Sequence, residues 1–187
     1  MHLEFTASRL TKTTERIAAP EFRMDEASFR NLYEVTARPL FAYLLRVSGN
    51  RELAEDLLQE TYCRLLTTKL PPMEEPSKRS YLFRIATNLL YDYWRRHKES
   101  PLPEDVSEEI STTPNPDLKI ELGQAFKHLK QRERSLLWLA YVEGLSHKEI
   151  AESAGLRTGS IKLLLFRARR KLTYLIKKQR LQHQGEL

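Results

Sequence analysis

Eleven residues near the C-terminus constrain this chain more than any other stretch: Ser146-His-Lys-Glu-Ile-Ala-Glu-Ser-Ala-Gly-Leu156. Ser146 and Glu149 stand three apart, the spacing of a capping box, so a helix should start there. Ile150 and Ala154 fall one turn apart and face a core, and Ala151 is small where a second helix must cross closely. Gly155 supplies a turn with positive φ. Leu156, Ile161 and Leu165 close the core from the following helix. The pattern reads as a helix-turn-helix. Nine basic residues and no acidic one lie between Arg157 and Arg180; this argues against an ordinary helical hairpin, because such a run needs a polyanion or solvent. In such a unit the second helix enters the major groove with its N-terminal residues at base edges. Those are Arg157, Thr158, Ser160, Lys162 and Leu163. Arg167, Arg169, Arg170 and Lys171 lie further along, and some of them should contact phosphates, which position a protein without reading sequence.

The rest of the chain is also helical in pattern. Only six glycines occur in 187 residues, and Leu, Glu, Lys, Arg and Ala dominate, which points to an all-α protein. A helix begins near Phe29 and carries Leu32, Tyr33, Leu40, Phe41, Leu44 and Leu45; Pro39 should kink or split it. Ser48-Gly49-Asn50 ends it. A second helix over residues 51–68 has the apolar stripe Leu53, Leu57, Leu58, Tyr62, Leu65 and Leu66. Glu52, Glu55, Asp56, Gln59 and Glu60 crowd its N-terminal half, where the helix dipole favours acids. Pro71, Pro72 and Pro76 mark a loop. A third helix, over residues 77–98, mixes Tyr81, Phe83, Tyr91, Tyr93 and Trp94 with Lys78, Arg79, Arg84, Arg95, Arg96 and Lys98. Aromatics among cations suit single-stranded DNA, where bases stack and cations follow the backbone. Leu82, Ile85, Ala86 and Leu89 show that one face of this helix is core, so burial is the plainer account of some of its rings.

Residues 99–116 hold five acids and four prolines and no basic residue, the composition of an extended, flexible acidic linker. Beyond it, Leu118, Leu122, Ala125, Phe126 and Leu129 mark one helix, and Leu136, Leu137, Leu139, Ala140 and Val142 another, ended by Gly144. The expected fold is therefore all-α: two small helical domains joined by the linker, the C-terminal one a helix-turn-helix. The divisions are an extension over 1–23 read as a mobile tail, a first domain over 24–98, the linker over 99–116, a second domain over 117–180 and a tail over 181–187. The net charge of +6 favours a polyanionic partner. Cys63, the only cysteine, reads as a small core residue in a reducing compartment. The longest apolar run, residues 136–142, is far short of a membrane span, and no apolar core of a signal peptide opens the chain. No membrane insertion is expected, and the expected compartment is the cytoplasm. The five histidines show no metal-ligand spacing, and no phosphate-cradling glycine loop or nucleophile motif occurs. No cofactor, no metal site and no catalytic residue is expected.

Three longer stretches then become recognisable. Ala54-Glu-Asp-Leu-Leu-Gln-Glu-Thr-Tyr62 resembles the helix of sigma region two that docks on the coiled coil of the largest subunit of bacterial RNA polymerase. Tyr81-Leu-Phe-Arg-Ile-Ala-Thr-Asn-Leu-Leu-Tyr-Asp-Tyr-Trp-Arg-Arg96 resembles the helix that binds and opens the minus-ten element. Glu143-Gly-Leu-Ser-His-Lys-Glu-Ile-Ala151 and Phe166-Arg-Ala-Arg-Arg-Lys-Leu172 resemble sigma region four, which binds the minus-thirty-five element. With no third module between them, the chain is similar to the extracytoplasmic-function class of sigma factors. The resemblance implies that Asp56, Gln59 and Glu60 dock core polymerase, and that Tyr81, Arg84, Asn88, Tyr91, Arg95 and Arg96 serve the minus-ten element. Within that set it gives Asn88 and the loop over 70–78 a flipped base, and Arg84, Arg95 and Arg96 the backbone. It implies that Arg157, Thr158, Ser160, Lys162, Leu163, Arg167 and Arg170 serve the minus-thirty-five element. The implied partners are core RNA polymerase, promoter DNA and an anti-sigma factor. Two departures stand out: the loop is prolyl and acidic, and Leu163 and Leu164 replace residues that are often polar.

The competing function is a helix-turn-helix repressor or activator that is not a sigma subunit. It accounts for residues 117–180 equally well but leaves the aromatic, basic helix and the acidic helix unexplained. Within the second helix of the motif, Leu165 belongs to the core, while Leu163 and Phe166 fall on another stripe and should be exposed. Exposed apolar side chains on a basic helix fit thymine methyl groups or an anti-sigma helix, with incidental exposure the plain alternative.

Overall fold

The computed structural model describes residues 24–69, 71, 73–97 and 116–184, among which there are seven α-helices and no strand. The extension over 1–23, Lys98, the linker up to residue 115, Leu70 and Pro72 of the loop and residues 185–187 lie outside the described residues, as do the side chains of 116–120, Leu118 among them, and of 182–184.

Helix α1 spans Glu26–Ser48. Asp25 starts it by accepting the Ser28 amide at 2.9 Å, and Gly49 ends it at φ 71°. The helix was expected to kink or split at Pro39, yet it is one helix across that residue. An interior proline costs about 3 kcal/mol; here Leu32, Leu40, Tyr43, Leu44 and Val47 all lie fully buried on one side of the helix and outweigh it. Helix α2, Arg51–Thr67, is capped by Asn50, whose side chain accepts the Leu53 amide at 3.0 Å. Its buried face is Ala54, Leu57, Thr61, Tyr62 and Leu65. Two expectations fail here. Leu66 is 48% exposed, and Cys63 is exposed instead of belonging to the core. Cys63 follows Gln59 and Glu60 by one turn, so it shares their solvent face despite its apolar neighbours. Helix α3 spans Glu75–Arg96 and takes Pro76 into its first turn. A loop was expected there, but the first helical amides are unpaired in any case, so a proline is tolerated at this place.

Helices α1, α2 and α3 pack on one another as a bundle. Helices α4 (Pro116–Lys127), α5 (Gln131–Tyr141), α6 (His147–Ala154) and α7 (Thr158–Gln184) form the second unit. In that unit α7 lies against the other three. The expected capping box is present: Ser146 accepts the Glu149 amide while Glu149 accepts the Ser146 amide. Gly155 turns at φ 62°. Ile150, Ala151, Ala154, Ile161, Leu165 and Ala168 are buried together. Helix α7 runs to Gln184, into the stretch expected to be a tail beyond residue 180. Two ion pairs tie it down: Lys171 to Glu133 of α5 at 2.7 Å and Arg180 to Glu121 of α4 at 2.8 Å. No helix among the described residues is long and apolar enough to cross a membrane.

The two units are packed together. Helix α3 lies along α6 and α1 lies against α5, so the buried apolar residues of both units form one continuous core.

Candidate nucleic-acid interface

Two exposed faces and one partly covered face carry the residues singled out in the sequence. On α2, Asp56, Gln59 and Glu60 are all exposed. They share one face because their spacing is three to four residues. Arg64 holds Glu60 at 2.7 Å, a pair exposed enough to contribute little to stability.

Arg157, just before α7, and Thr158, Ser160, Lys162, Leu163, Arg167 and Arg170 on it are all exposed. Leu163 is 50% and Phe166 47% exposed, on the opposite side from Leu165, which is 3% exposed. The Arg170 guanidinium lies 5.8 Å from the centre of the Phe166 ring and Arg169 lies 5.9 Å from that of Tyr141. Those cations rest on flat apolar surfaces. Lys171, by contrast, is committed to Glu133 within the unit. The free amides at the N-terminus of α7 add a partial positive charge to the side chains there.

The third set lies on α3 and is divided. Asn88, Arg95 and Arg96 are exposed; Arg95 pairs with Asp92 on the same helix. Arg84 is directed across to Glu152 of α6 at 3.4 Å. Tyr81 is half-buried and, with Met73, Ser77, Ser80 and Arg84, lines one wall of a cleft of about 240 Å³; Lys148, Glu149, Glu152 and Ser153 line the other. Tyr91 stands apart from the exposed face: its ring packs on Trp94, with centroids 5.3 Å apart, and the Arg132 guanidinium of α5 lies 5.9 Å above it. Its phenol is pushed above its ordinary value by burial.

Sequence reasoning missed the residues that join the units. Arg79 donates to Glu143 at 2.6 Å, and Glu143 also accepts the Trp138 indole N–H at 2.9 Å. The Glu143 side chain is only 2% exposed, and burial raises its carboxyl above the usual range although Trp138 and Arg79 act against this. Ser80 donates to Glu149, which with the Ser146 bonds holds that carboxyl below its usual range. Tyr43 of α1 lies 2.9 Å from Thr87 of α3 and 2.8 Å from Ser135 of α5, all three buried. Thr87 donates its proton to the Phe83 carbonyl at 2.7 Å. Each hydroxyl has one proton, so Tyr43 donates to Thr87 and Ser135 donates to Tyr43. This relay crosses from one unit to the other.

A helix-turn-helix unit with an exposed basic recognition helix, set beside a bundle that carries an aromatic, basic helix and an acidic helix face, has the build of a two-region sigma-70 protein. Residues 32–100 match the family described as Sigma-70 region 2, and residues 119–172 the one described as Sigma-70, region 4. The ECF RNA polymerase sigma factor SigF of Caulobacter vibrioides is 31% identical over 166 residues, covering 85% of this chain and 93% of that protein. SigM of Bacillus subtilis is 28% identical over 151 residues, covering 77% of this chain and 92% of SigM. SigE of Mycolicibacterium smegmatis is 32% identical over 161 residues and 80% of this chain, which spans only 62% of that longer relative. The chain belongs to the extracytoplasmic-function (ECF) sigma factors. Its fold is also that of RpoE from Bartonella quintana, solved with the anti-sigma factor NepR (TM-score 0.63, 20% identity, 80% of this chain and 96% of that one). CnrH, solved with the cytosolic domain of CnrY, is similar too (TM-score 0.56, 20% identity, 82% and 90%). The match to region two leaves the plain repressor or activator reading disfavoured.

Proposed function

We propose that this chain is a promoter-specificity subunit: it binds core RNA polymerase, recognises promoter DNA and helps open it to start transcription. The observation that carries this reading is the presence in one chain of both matched regions, in the order region two then region four. Region two is taken as residues 24–98 and region four as 117–180, joined by the linker over 99–116, with an extension over 1–23 and a tail over 181–187.

The roles divide by chemistry. Asp56, Gln59 and Glu60 offer carboxylate and amide groups on one face of α2 to the polymerase. Arg157 and the exposed side chains of α7 as far as Arg170 meet the minus-thirty-five element: those near the N-terminus reach base edges and the arginines further along reach phosphates. On α3, Tyr81, Arg84, Asn88, Tyr91, Arg95 and Arg96 serve the minus-ten element, with Asn88 holding a base drawn out of the stack. The chain performs no bond chemistry of its own. It works in the cytoplasm, beside the polymerase, and an anti-sigma factor is its regulator, by analogy with the complexes in which its structural neighbours were solved.

Transcription with purified core polymerase and no other factor tests the reading. Promoter-directed initiation that depends on this chain is expected on a template carrying its own genomic upstream region. A chain that binds such DNA yet neither binds core polymerase nor starts transcripts would return the protein to the repressor or activator class.

A further inference from the structure

We propose that Gly159 opens a notch on the outward face of α7, and that this notch receives the C5 methyl group of a thymine in the upstream promoter element. This rests on the reading of α7 as the recognition helix. Gly159 is a glycine that the fold does not use. Gly49, Gly144 and Gly155 turn the chain at positive φ, where glycine is favoured. Gly159 lies inside α7, one residue after its start, with no such φ. A Cβ there would meet no neighbouring atom within 4 Å. Neither backbone nor packing asks for glycine at this place, and glycine is a poorer helix former than alanine. What a missing Cβ does permit is the close approach of a group from outside the chain.

The surroundings of Gly159 identify that group. Residues four apart on a helix are neighbours, with Cβ atoms about 5–6 Å apart, so Gly159 stands one turn before Leu163. Both are exposed, on the side of α7 opposite the buried Ile161 and Leu165. The notch has the Gly159 Cα as its floor and the Leu163 side chain as its wall, and both are apolar. Lys162, Arg167 and Arg170 flank it, and no acid occurs from Arg157 to Arg180, so the occupant is carried by a polyanion. The apolar group that duplex DNA presents in its major groove is the thymine methyl. Thr158 and Ser160 on either side are small, which lets the first turn of α7 come down onto base edges, where the N-terminal residues of a recognition helix sit. Leu163 alone would be a bulge; with Gly159 it bounds a recess that selects a base by its methyl group.

A library of random-sequence duplexes, made once with thymine and once with deoxyuridine, separates the methyl group from the rest of the base, because deoxyuridine pairs alike and lacks only that group. The full chain selects from both libraries, alone and with core polymerase. The parent chain should enrich thymine at one position of the upstream element. Its affinity for the selected site should fall about fourfold when that thymine becomes deoxyuridine, the effect of one buried methyl group. Gly159→Ala fills the notch. It should bind the thymine site about fourfold more weakly than the parent, and deoxyuridine at that position should no longer weaken binding. Gly123→Ala in α4 is the control. Its Cβ would meet only the far end of the Arg46 side chain, at 3.9 Å, and its base preferences should match the parent's. Both variants should melt no lower than the parent, since alanine is the better helix former. A Gly159→Ala chain that keeps the parent's affinity and thymine preference would overturn the notch. So would a loss that is equal on thymine and deoxyuridine duplexes, which assigns the close approach to a phosphate, or a loss accompanied by a lower melting temperature, which makes the glycine structural. Thymine selection by the chain alone, with no binding of core polymerase, would strike the sigma reading and leave the notch standing.

Discussion

Tyr43 and Ser135 are 92 residues apart in sequence and 2.8 Å apart through their hydroxyls, with Tyr43 passing its own proton to Thr87. Burial pushes the Tyr43 phenol well above its ordinary value, which favours the neutral, proton-donating form. Tyr43→Phe removes the middle of this relay and strands the Ser135 donor in a dry site. A loss of about 1–2 kcal/mol is expected in denaturant unfolding. Midpoints identical for the variant and the parent chain would mean that the relay contributes nothing.

Glu149 links pH to stability. Its carboxyl is held below its ordinary value of 4.5 by Ser80 and by the cap at Ser146. A lowered pKa in the folded state means that the stabilisation is present above the ordinary value and is lost as pH falls through the lowered one. Glu149→Gln should therefore melt below the parent chain at neutral pH. The two curves should converge in acid. A gap that stays constant across that range would assign the effect to packing.

The docking assignment predicts a separation of folding from binding. Asp56→Arg with Glu60→Arg should abolish association with core polymerase. Both positions are exposed, so helical content and melting temperature should change little. Retained affinity for the core enzyme in a pull-down would remove these residues from the interface.

Leu163 offers an apolar surface where the recognition helix faces outward. If it touches a thymine methyl group, Leu163→Ser should relax preference at one upstream thymine, with a discrimination loss of about 1 kcal/mol. Promoter libraries scored with both proteins are the measurement. Base preferences that coincide at every upstream position would exclude thymine reading.

What could be read in advance was local. Ser146, Glu149 and Gly155 announce the helix-turn-helix because a cap and a left-handed turn are decided within a few residues. Leu165 and Leu163 were separable because 100° per residue fixes their faces. The same rule corrects Cys63, whose apolar neighbours suggested burial although its phase put it with Gln59 and Glu60. The contacts between units were illegible for a different reason. Nothing near Arg79 indicates Glu143, and Glu149 was fully explained as a cap, so its second task of accepting Ser80 left no trace in the pattern. Tyr91 is assigned by the resemblance alone, and nothing in the pattern indicated that its ring would pack on Trp94 with the Arg132 guanidinium above it.

The ties at the far end of α7 make the helix a lever. Lys171 and Arg180 fix its C-terminal half to α5 and α4. From Arg180 back to Thr158 the rise is about 33 Å at 1.5 Å per residue. A tilt of about 6° about the Arg180 tie moves the reading end by roughly 3.4 Å, the rise of one base step. A tilt of that size carries α6 with it, because Ile161, Leu165 and Ala168 of α7 are buried with Ile150, Ala151 and Ala154 of α6.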